Sequence, residues 1–376
     1  MEAIHILHMN WKMKYSILGI ALWLLFFLAW EWWRSYPKVK LTPISFPESR
    51  EARIDSLLVQ SLSNGLIPGI AVCIVEDQRV TYLKAYGYQN LEAKEPLTLE
   101  SPMPLASVSK LFTALSLANF ALENGISIDT AFNSLLPKNK RLPAEFDRIT
   151  LRDLLNHTSG ISDEGWIQQI LRGAEKKKLS NISRTVSLLP EVKKEFQYAD
   201  ANFDLIGYVL ESRAKVPFES LMKENMLATG GMEQSYFLTR NATDSFATLG
   251  YKHTFLWKRL ETVHLKLERY PSPSSGLVSS PRDLSRAMLY LCRGGMGIFG
   301  DELKWLQNGS HSPAGFQKIT INQSEFFGHF GGSGGFSALV LYSPTTDTGL
   351  FLLANARDES DFRSQISDKI LHLLNP

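Results

Sequence analysis

Ser107-Val108-Ser109-Lys110 sets a hydroxyl and an amine three residues apart. On one helix the two groups share a face, one turn apart. A serine hydroxyl becomes a useful nucleophile when a neighbouring base takes its proton. A lysine amine acts as that base only when its pKa falls from about 10.4, and burial pushes it down. The residues that follow, Leu111, Phe112, Ala114, Leu115, Leu117, Ala118, Phe120, Ala121 and Leu122, are apolar on nearly every side. That pattern marks a buried helix, with Gly125 placed to stop it. A helix opening at Ser107 also presents free N–H groups and a positive dipole end to a developing oxyanion. Ser-x-x-Lys is short enough to arise by chance, so it counts only with other evidence.

Two further stretches have the residue types to complete such a site. Phe196-Gln197-Tyr198-Ala199-Asp200 precedes an apolar helix. A phenol there can pass a proton if positive charge lies near it; the plain alternative is a tyrosine packed at a helix start. Gly328-His329-Phe330-Gly331-Gly332-Ser333-Gly334-Gly335 falls between two strands. Its glycines let a substrate approach the backbone, and its N–H groups can hold an oxyanion or a carboxylate; the plain alternative is a hairpin loop. Gly331 to Gly335 also fits Gly-x-Ser-x-Gly, a motif that needs strand–turn–helix and a later histidine. The residues after it, Phe336 to Pro344, read as a strand, and the later histidine is His372 in a closing helix.

The elements that must position these groups follow from periodicity. Arg50 to Leu62 reads as an amphipathic helix. Gly69–Val75 and Val80–Tyr86 read as strands joined by a turn at Glu76 to Arg79. Helices follow at Leu151–Leu155, broken at Asn156 to Gly160, and at Phe203–Ser212 and Arg282–Cys292. Strands return at Gln317–Ile321, Glu325–Phe330, Phe336–Tyr342 and Gly349–Leu353, before a closing helix over Asp358–Leu374. Strands at both ends and helices between them imply an α/β domain, 48–104 with 313–376, interrupted by a mainly helical domain, 105–312, with the cleft between them.

The N-terminus carries a membrane signal: a tail over 1–14, a spanning segment over 15–33 and a Pro-containing linker over 34–47. The uncharged run Tyr15 to Trp30 covers ~24 Å as a helix against a ~30 Å hydrocarbon core. Extension to Trp33 nearly closes the gap and sets Trp30, Trp32 and Trp33 at an interface. Lys12 and Lys14 flank one end, and Arg34, Lys38 and Lys40 the other, so charge does not decide orientation. Translation from Met13 would give a more ordinary export signal. No small-x-small cleavage site precedes Glu31, which favours an uncleaved single-pass anchor.

Composition excludes several classes. Of 376 residues, 44% are hydrophobic and 21% charged, which suits a globular chain with a substantial core. A net charge of +2 gives no nucleic-acid footprint, and Lys176-Lys177-Lys178 reads as a solvated loop. Cys73 and Cys292 are expected to be buried free thiols. The eight histidines show no His-x-x-x-His spacing, so no metal and no other cofactor is expected.

The three stretches, in this order, resemble the serine β-lactamase and penicillin-binding family, closest to its class C β-lactamase and DD-peptidase branch. Ser107-Val108-Ser109-Lys110 matches its Ser-x-x-Lys motif. Tyr198-Ala199-Asp200 matches Tyr-x-Asn in part, and His329-Phe330-Gly331 matches Lys-Thr-Gly or His-x-Gly. Thr150 to Gly160 and Ser275 to Leu284 look familial as well, and the likeness spans about Pro68 to Asn355. It implies an antiparallel sheet flanked by helices with a large helical insertion, and an acyl-enzyme formed on Ser107. Lys110 and Tyr198 would share the proton work. The N–H groups of Ser107 and Gly332 would hold the oxyanion, and His329 would line the opposite wall beside Gly331 and help bind a substrate carboxylate. His157 reads as structural.

Departures from the pattern matter. Asp200 stands where the family usually has Asn; a carboxylate there can pair with Lys110, keep it charged and shift base duty to Tyr198. His329 replaces Lys, Phe330 replaces a small hydroxyl residue, and Glu191 to Glu195 replaces the usual Pro-Gly. These departures favour a D-amino-acid peptidase or esterase over an efficient β-lactamase. True lactam turnover and a non-catalytic, membrane-tethered binding or sensor protein are the alternatives. The family's cell-wall work implies a membrane-anchored catalytic domain outside the cytoplasm, acting on a small peptide, lactam or ester.

Overall fold

The computed structural model describes residues 11–163, 178–189, 194–239, 247–265, 267, 269–321 and 323–374. The first ten residues of the tail, Lys176, Lys177 and Glu191 to Lys193 lie outside these.

The N-terminal helix α1 runs over Trp11–Trp33, four residues earlier than the uncharged run. Its apolar side chains are exposed, and only Glu31 is buried. Helix α2 (Arg50–Gly65) starts at an N-cap, Ser49, whose hydroxyl accepts the Ala52 N–H at 3.1 Å. Strands β1 (Gly69–Glu76) and β2 (Arg79–Asn90) follow. Their turn places Asp77 and Gln78 at positive φ (48° and 61°), the geometry of a tight hairpin. Strand β3 (Glu95–Pro96) adds an edge.

The middle of the chain supplies α3 (Ser109–Glu123), α4 (Leu151–Leu155), α5 (Asp200–Ala214) and α6 (Pro281–Cys292), with a separate hairpin of β4 (Gly250–His253) and β5 (Leu260–Val263). Both supporting stretches contain helix starts. Thr150 and Asp153 form a reciprocal capping box on α4, and Ser280 caps α6 with Pro281 in its first turn. The C-terminal third returns to the sheet with β6 (Gln317–Ile321), β7 (Ser324–Ser333), β8 (Phe336–Ser343) and β9 (Thr348–Ala354), then α7 (Phe362–Leu374).

The strands make one seven-stranded antiparallel sheet in the order β6-β7-β8-β9-β1-β2-β3. Two segments far apart in sequence meet where β1 pairs with β9, with Val72 opposite Leu352. Alternate residues then face opposite layers. Ile70, Val72, Ile74, Leu350 and Leu352 pack under α2 and α7 with Leu58, Leu62, Ile366 and Ile370. Ala71, Cys73, Val75, Phe351 and Leu353 face the helical layer with Leu111, Leu115, Met288 and Leu291. Both faces are buried, so these strands carry near-continuous apolar runs rather than an alternating pattern. Cys73 and Cys292 are buried and free.

Gly334 and Gly335, at φ 51° and 84°, form the two-residue turn between β7 and β8. Phe336 therefore begins a strand, and the strand–turn–helix context of the Gly-x-Ser-x-Gly alternative is absent.

Candidate active site

Ser107 does not open the long helix. It sits in a 3-10 turn, Ala106–Val108, that runs directly into α3. Ala106 just before it takes φ 48°, strained for a residue with a side chain. Glycine is required opposite: a Cβ on Gly331 would come within 2.2 Å of the Leu105 carbonyl and 3.3 Å of the Ser107 nitrogen. The close approach of β7 to the Ser107 turn thus depends on the missing side chain of Gly331.

Lys110 is fully buried, one turn into α3. Its ammonium has three N–H bonds and three acceptors: Asp200 Oδ1 at 2.6 Å, the Ser274 carbonyl at 3.0 Å and Ser107 Oγ at 3.2 Å. Burial disfavours its charge, but the Asp200 carboxylate and the Tyr198 oxygen outweigh it and hold the pKa above the ordinary lysine value. Of the two states that the sequence leaves open for Lys110, this pairing favours the charged one. Tyr198 reaches the same hydroxyl from the other side, Oη to Ser107 Oγ at 2.9 Å. The Lys110 ammonium lies 4.9 Å from the centre of the Tyr198 ring.

The peptide between Gly331 and Gly332 adjoins the packing of Gly331 on the Ser107 turn. Arg363 on α7 donates to the Gly331 carbonyl and, at 3.1 Å, to that of Ala338, while its Nε holds Asp358 at 2.7 Å. A trans peptide aims its N–H opposite its carbonyl, so the Gly332 N–H is turned away from Arg363. Phe330 N–H points toward Gln317 on the β6 side, and the period of two puts the Gly332 N–H on that same edge, where β6 has ended.

His329 lies against this wall, its ring centre 6.2 Å from that of Tyr198. It is 2% exposed, with Nδ1 on the Phe330 carbonyl. Burial first, and then the Lys110 charge, lower its pKa to about 3. A neutral imidazole can offer a substrate carboxylate a hydrogen bond but not a positive charge.

His157 does more than fill space. It takes φ 55° at the end of α4, and its ring stacks on Tyr198 at 4.5 Å between centres. Its Nδ1 meets the Ala199 N–H at 3.2 Å and the Asn202 amide at 3.1 Å. Burial and the Lys110 charge lower its pKa to about 4. A cavity of about 440 Å³ opens beside the two imidazoles, bounded by Phe196, Phe316 and Gln317.

These imidazoles make stability depend on pH. The unfolded chain binds both protons near pH 6.5, whereas the folded chain refuses them down to about 4 and about 3. Their contribution is complete above pH 6.5 and is lost as pH falls from there toward 3, a loss on the order of several kcal/mol. Thermal unfolding from pH 7 to pH 4 is expected to show a steep fall in Tm, and His157→Gln is expected to flatten it. An equal slope in that variant contradicts the assignment.

Several supporting residues have no signal in the sequence. Asp163 accepts the N–H groups of Asp200 (3.0 Å) and Ala201 (2.9 Å), capping α5 from a distant loop. Asp204 and Arg269 form a buried ion pair at 3.0 Å; Asp204 also accepts the Ser274 N–H at 3.1 Å, and so steadies the carbonyl that Lys110 uses. Ser109 and Thr113 tie the same loop to α3, through Leu277 N–H at 2.9 Å and the Pro273 carbonyl at 2.7 Å. Ser275, within the familial stretch, lies 3.5 Å from Asp200.

Comparison with known proteins agrees with this arrangement in fold. A family model described as Beta-lactamase matches residues 54–374. Protein flp of Staphylococcus aureus (strain MW2) is 24% identical over 325 residues, covering 82% of this chain and 64% of its own length. The chain thus spans just under two thirds of that relative. The D-amino acid amidase from Ochrobactrum anthropi SV3 superposes with TM-score 0.70 at 20% identity, over 86% of this chain and 98% of its own. A class C β-lactamase superposes with TM-score 0.70 at 19% identity, over 89% and 99%.

Proposed function

We propose, given that this chain belongs to the β-lactamase family, that it is a serine hydrolase that forms an acyl-enzyme on Ser107. The observation that carries this reading is the 2.9 Å contact of Ser107 Oγ with Tyr198 Oη, beside a Lys110 whose three donors are all engaged. Ser107 Oγ attacks an amide or ester carbonyl carbon, and its proton passes to the oxygen of Tyr198 reacting as its phenolate, beside the Lys110 ammonium. The carbonyl oxygen takes up charge between the N–H groups of Ser107 and Gly332. Collapse breaks the bond to the leaving group, which receives the proton from Tyr198. Water then attacks the acyl carbon, giving its proton to Tyr198, which passes it to Ser107 Oγ as the bond to the acyl carbon breaks and the acid leaves.

The wall supports a choice of substrate class. His329 is neutral and Phe330 apolar, and Asp200 takes the place of an amide donor. That wall offers no fixed cation to grip a substrate by its carboxylate, so we assign D-amino-acid amides or peptides and simple esters. Similarity in fold to a D-amino acid amidase supports this choice. Lactam turnover is the second reading, supported by the likeness to a class C β-lactamase.

In this reading α1 anchors the protein in a membrane with its catalytic part outside the cytoplasm. Its length and mean hydropathy of 1.7 support a span. Residues 48–104 with 313–376 form the α/β domain and 105–312 the mainly helical one, with substrate held between. Hydrolysis of D- and L-alanine anilides, a short p-nitrophenyl ester and a penicillin tests the assignment. Turnover of the ester and the D-anilide ahead of penicillin is expected. Penicillin turned over fastest selects the lactamase reading, and no turnover of any of them by folded protein selects a binding role.

A further inference from the structure

The hairpin of β4 and β5 ends in Thr254-Phe255-Leu256-Trp257-Lys258-Arg259. Phe255 is 87% exposed, Leu256 51% and Trp257 42%, so three adjacent large apolar side chains project from one tip. The tip is clasped to the end of α1. The Trp257 indole N–H donates to the Leu28 carbonyl at 2.9 Å. The Phe255 and Leu256 N–H groups donate to the Glu31 carboxylate, so the buried acid and the tip amides satisfy each other. Arg259 holds Ser35 and lies over the Trp32 ring at 5.1 Å. Tyr36 continues the hairpin by pairing with Leu260.

The depth of these contacts is informative. Leu28 precedes Trp33 by five residues, about 7.5 Å along a helix. Trp257 therefore sits level with Trp30 and Trp32, where an aromatic belt lies if α1 spans a bilayer. Next to the tip is a niche of about 560 Å³ with Phe27, Trp30 and Phe255 on its apolar side and, on its polar side, Arg34, Lys252 and Arg357 together with Glu31, Glu261 and Glu359. Lys252 is paired with Glu261 at 2.8 Å. Arg34 and Arg357 have no carboxylate partner among the described residues; Arg34 rests on the Trp30 ring at 5.5 Å. The carboxylates of the niche are engaged elsewhere, Glu261 by Lys252, Glu359 by His253 and Glu31 by the tip amides. An apolar wall beside two guanidiniums without an ion-pair partner therefore matches a phospholipid, with its acyl chain on the aromatics and its phosphate on the arginines.

We propose that the 254–259 tip inserts at the headgroup boundary of the bilayer that α1 crosses, with Arg34 and Arg357 on lipid phosphates. The anchor is then a rigid mount that sets the cleft at a fixed attitude to the membrane, not a loose tether. The inference rests on the membrane-span reading of α1.

Full-length protein in vesicles of phosphatidylcholine with phosphatidylglycerol tests it. The probe is an environment-sensitive fluorophore on Phe255→Cys or, as an anchor control, on Leu22→Cys; the native thiols are both buried. The 255 probe is expected to be quenched by lipids spin-labelled near the headgroup and shielded from iodide, and the 22 probe to be quenched by deep labels. Quenching at 255 is expected to be roughly two-fold stronger with phosphatidylglycerol than without, and Arg34→Gln with Arg357→Gln to remove that difference. Deep quenching at 22 with a water-exposed 255 overturns the inference and leaves the anchor standing. Water exposure at both positions overturns the anchor reading and the inference with it. A phosphatidylglycerol effect that survives the double substitution overturns the assignment of the arginines.

Discussion

Ser107→Ala is expected to lower kcat/KM for ester or amide hydrolysis by about 10³-fold or more while leaving Tm unchanged. The hydroxyl is part-exposed at the mouth of the cleft, and its neighbours keep other partners when it goes. Lys110 retains Asp200 and the Ser274 carbonyl. Tyr198 stays stacked on His157. Tyr198→Phe is expected to cost a similar factor, because it removes the atom that receives the Ser107 proton in the proposed mechanism. Residues acting in one proton path are not additive, so Ser107→Ala with Tyr198→Phe is expected to be no slower than Ser107→Ala alone. A further large loss in the double variant contradicts a shared path.

Arg269→Met is expected to cost about 3–5 kcal/mol of folding stability, read as a drop in the urea midpoint. The side chains of Arg269 and Asp204 are 6% and 5% exposed. Loss of the guanidinium leaves Asp204 buried without its counter-ion. Burial already raises the Asp204 pKa, with the Arg269 charge opposing the rise. Arg269 also donates to Thr185 at 3.2 Å, tying in a second loop. Adding Asp204→Leu to Arg269→Met is expected to recover part of the loss, since an apolar pair replaces a stranded charge. A loss under about 1 kcal/mol in the single variant means that water reaches the site.

The fold was legible where side chains repeat and obscure where loops set distances. The strands from Gln317 to Leu353 and the helix after Ser109 follow from apolar runs, because burial on all sides leaves little freedom in composition. Boundaries moved by a few residues: β7 runs on to Ser333, since its glycines can extend as well as turn. The pairing of β1 with β9 joins segments that no local pattern connects. Ser107, Lys110 and Tyr198 could be named from motif order, and the structure brings them into mutual contact. Composition left the charge on Lys110 open, because it turns on whether Asp200 lies at 2.6 Å or elsewhere. Asp163, Ser274 and Arg363 were missed, as each contact is made to or from a backbone group across segments remote in sequence. His157 carried one usable sign: it stands inside the familial stretch ending at Gly160, at a helix end where only an unusual backbone turn can aim a ring inward.

The central claim is that Ser107 carries the acyl group. Full-length protein treated with a fluorescent fluorophosphonate, digested and analysed by mass spectrometry reads this directly. The account predicts one adduct, on the peptide containing Ser107, absent from Ser107→Ala and slowed in Tyr198→Phe. An adduct on Ser333 or another hydroxyl, or equal labelling of Ser107→Ala, contradicts it.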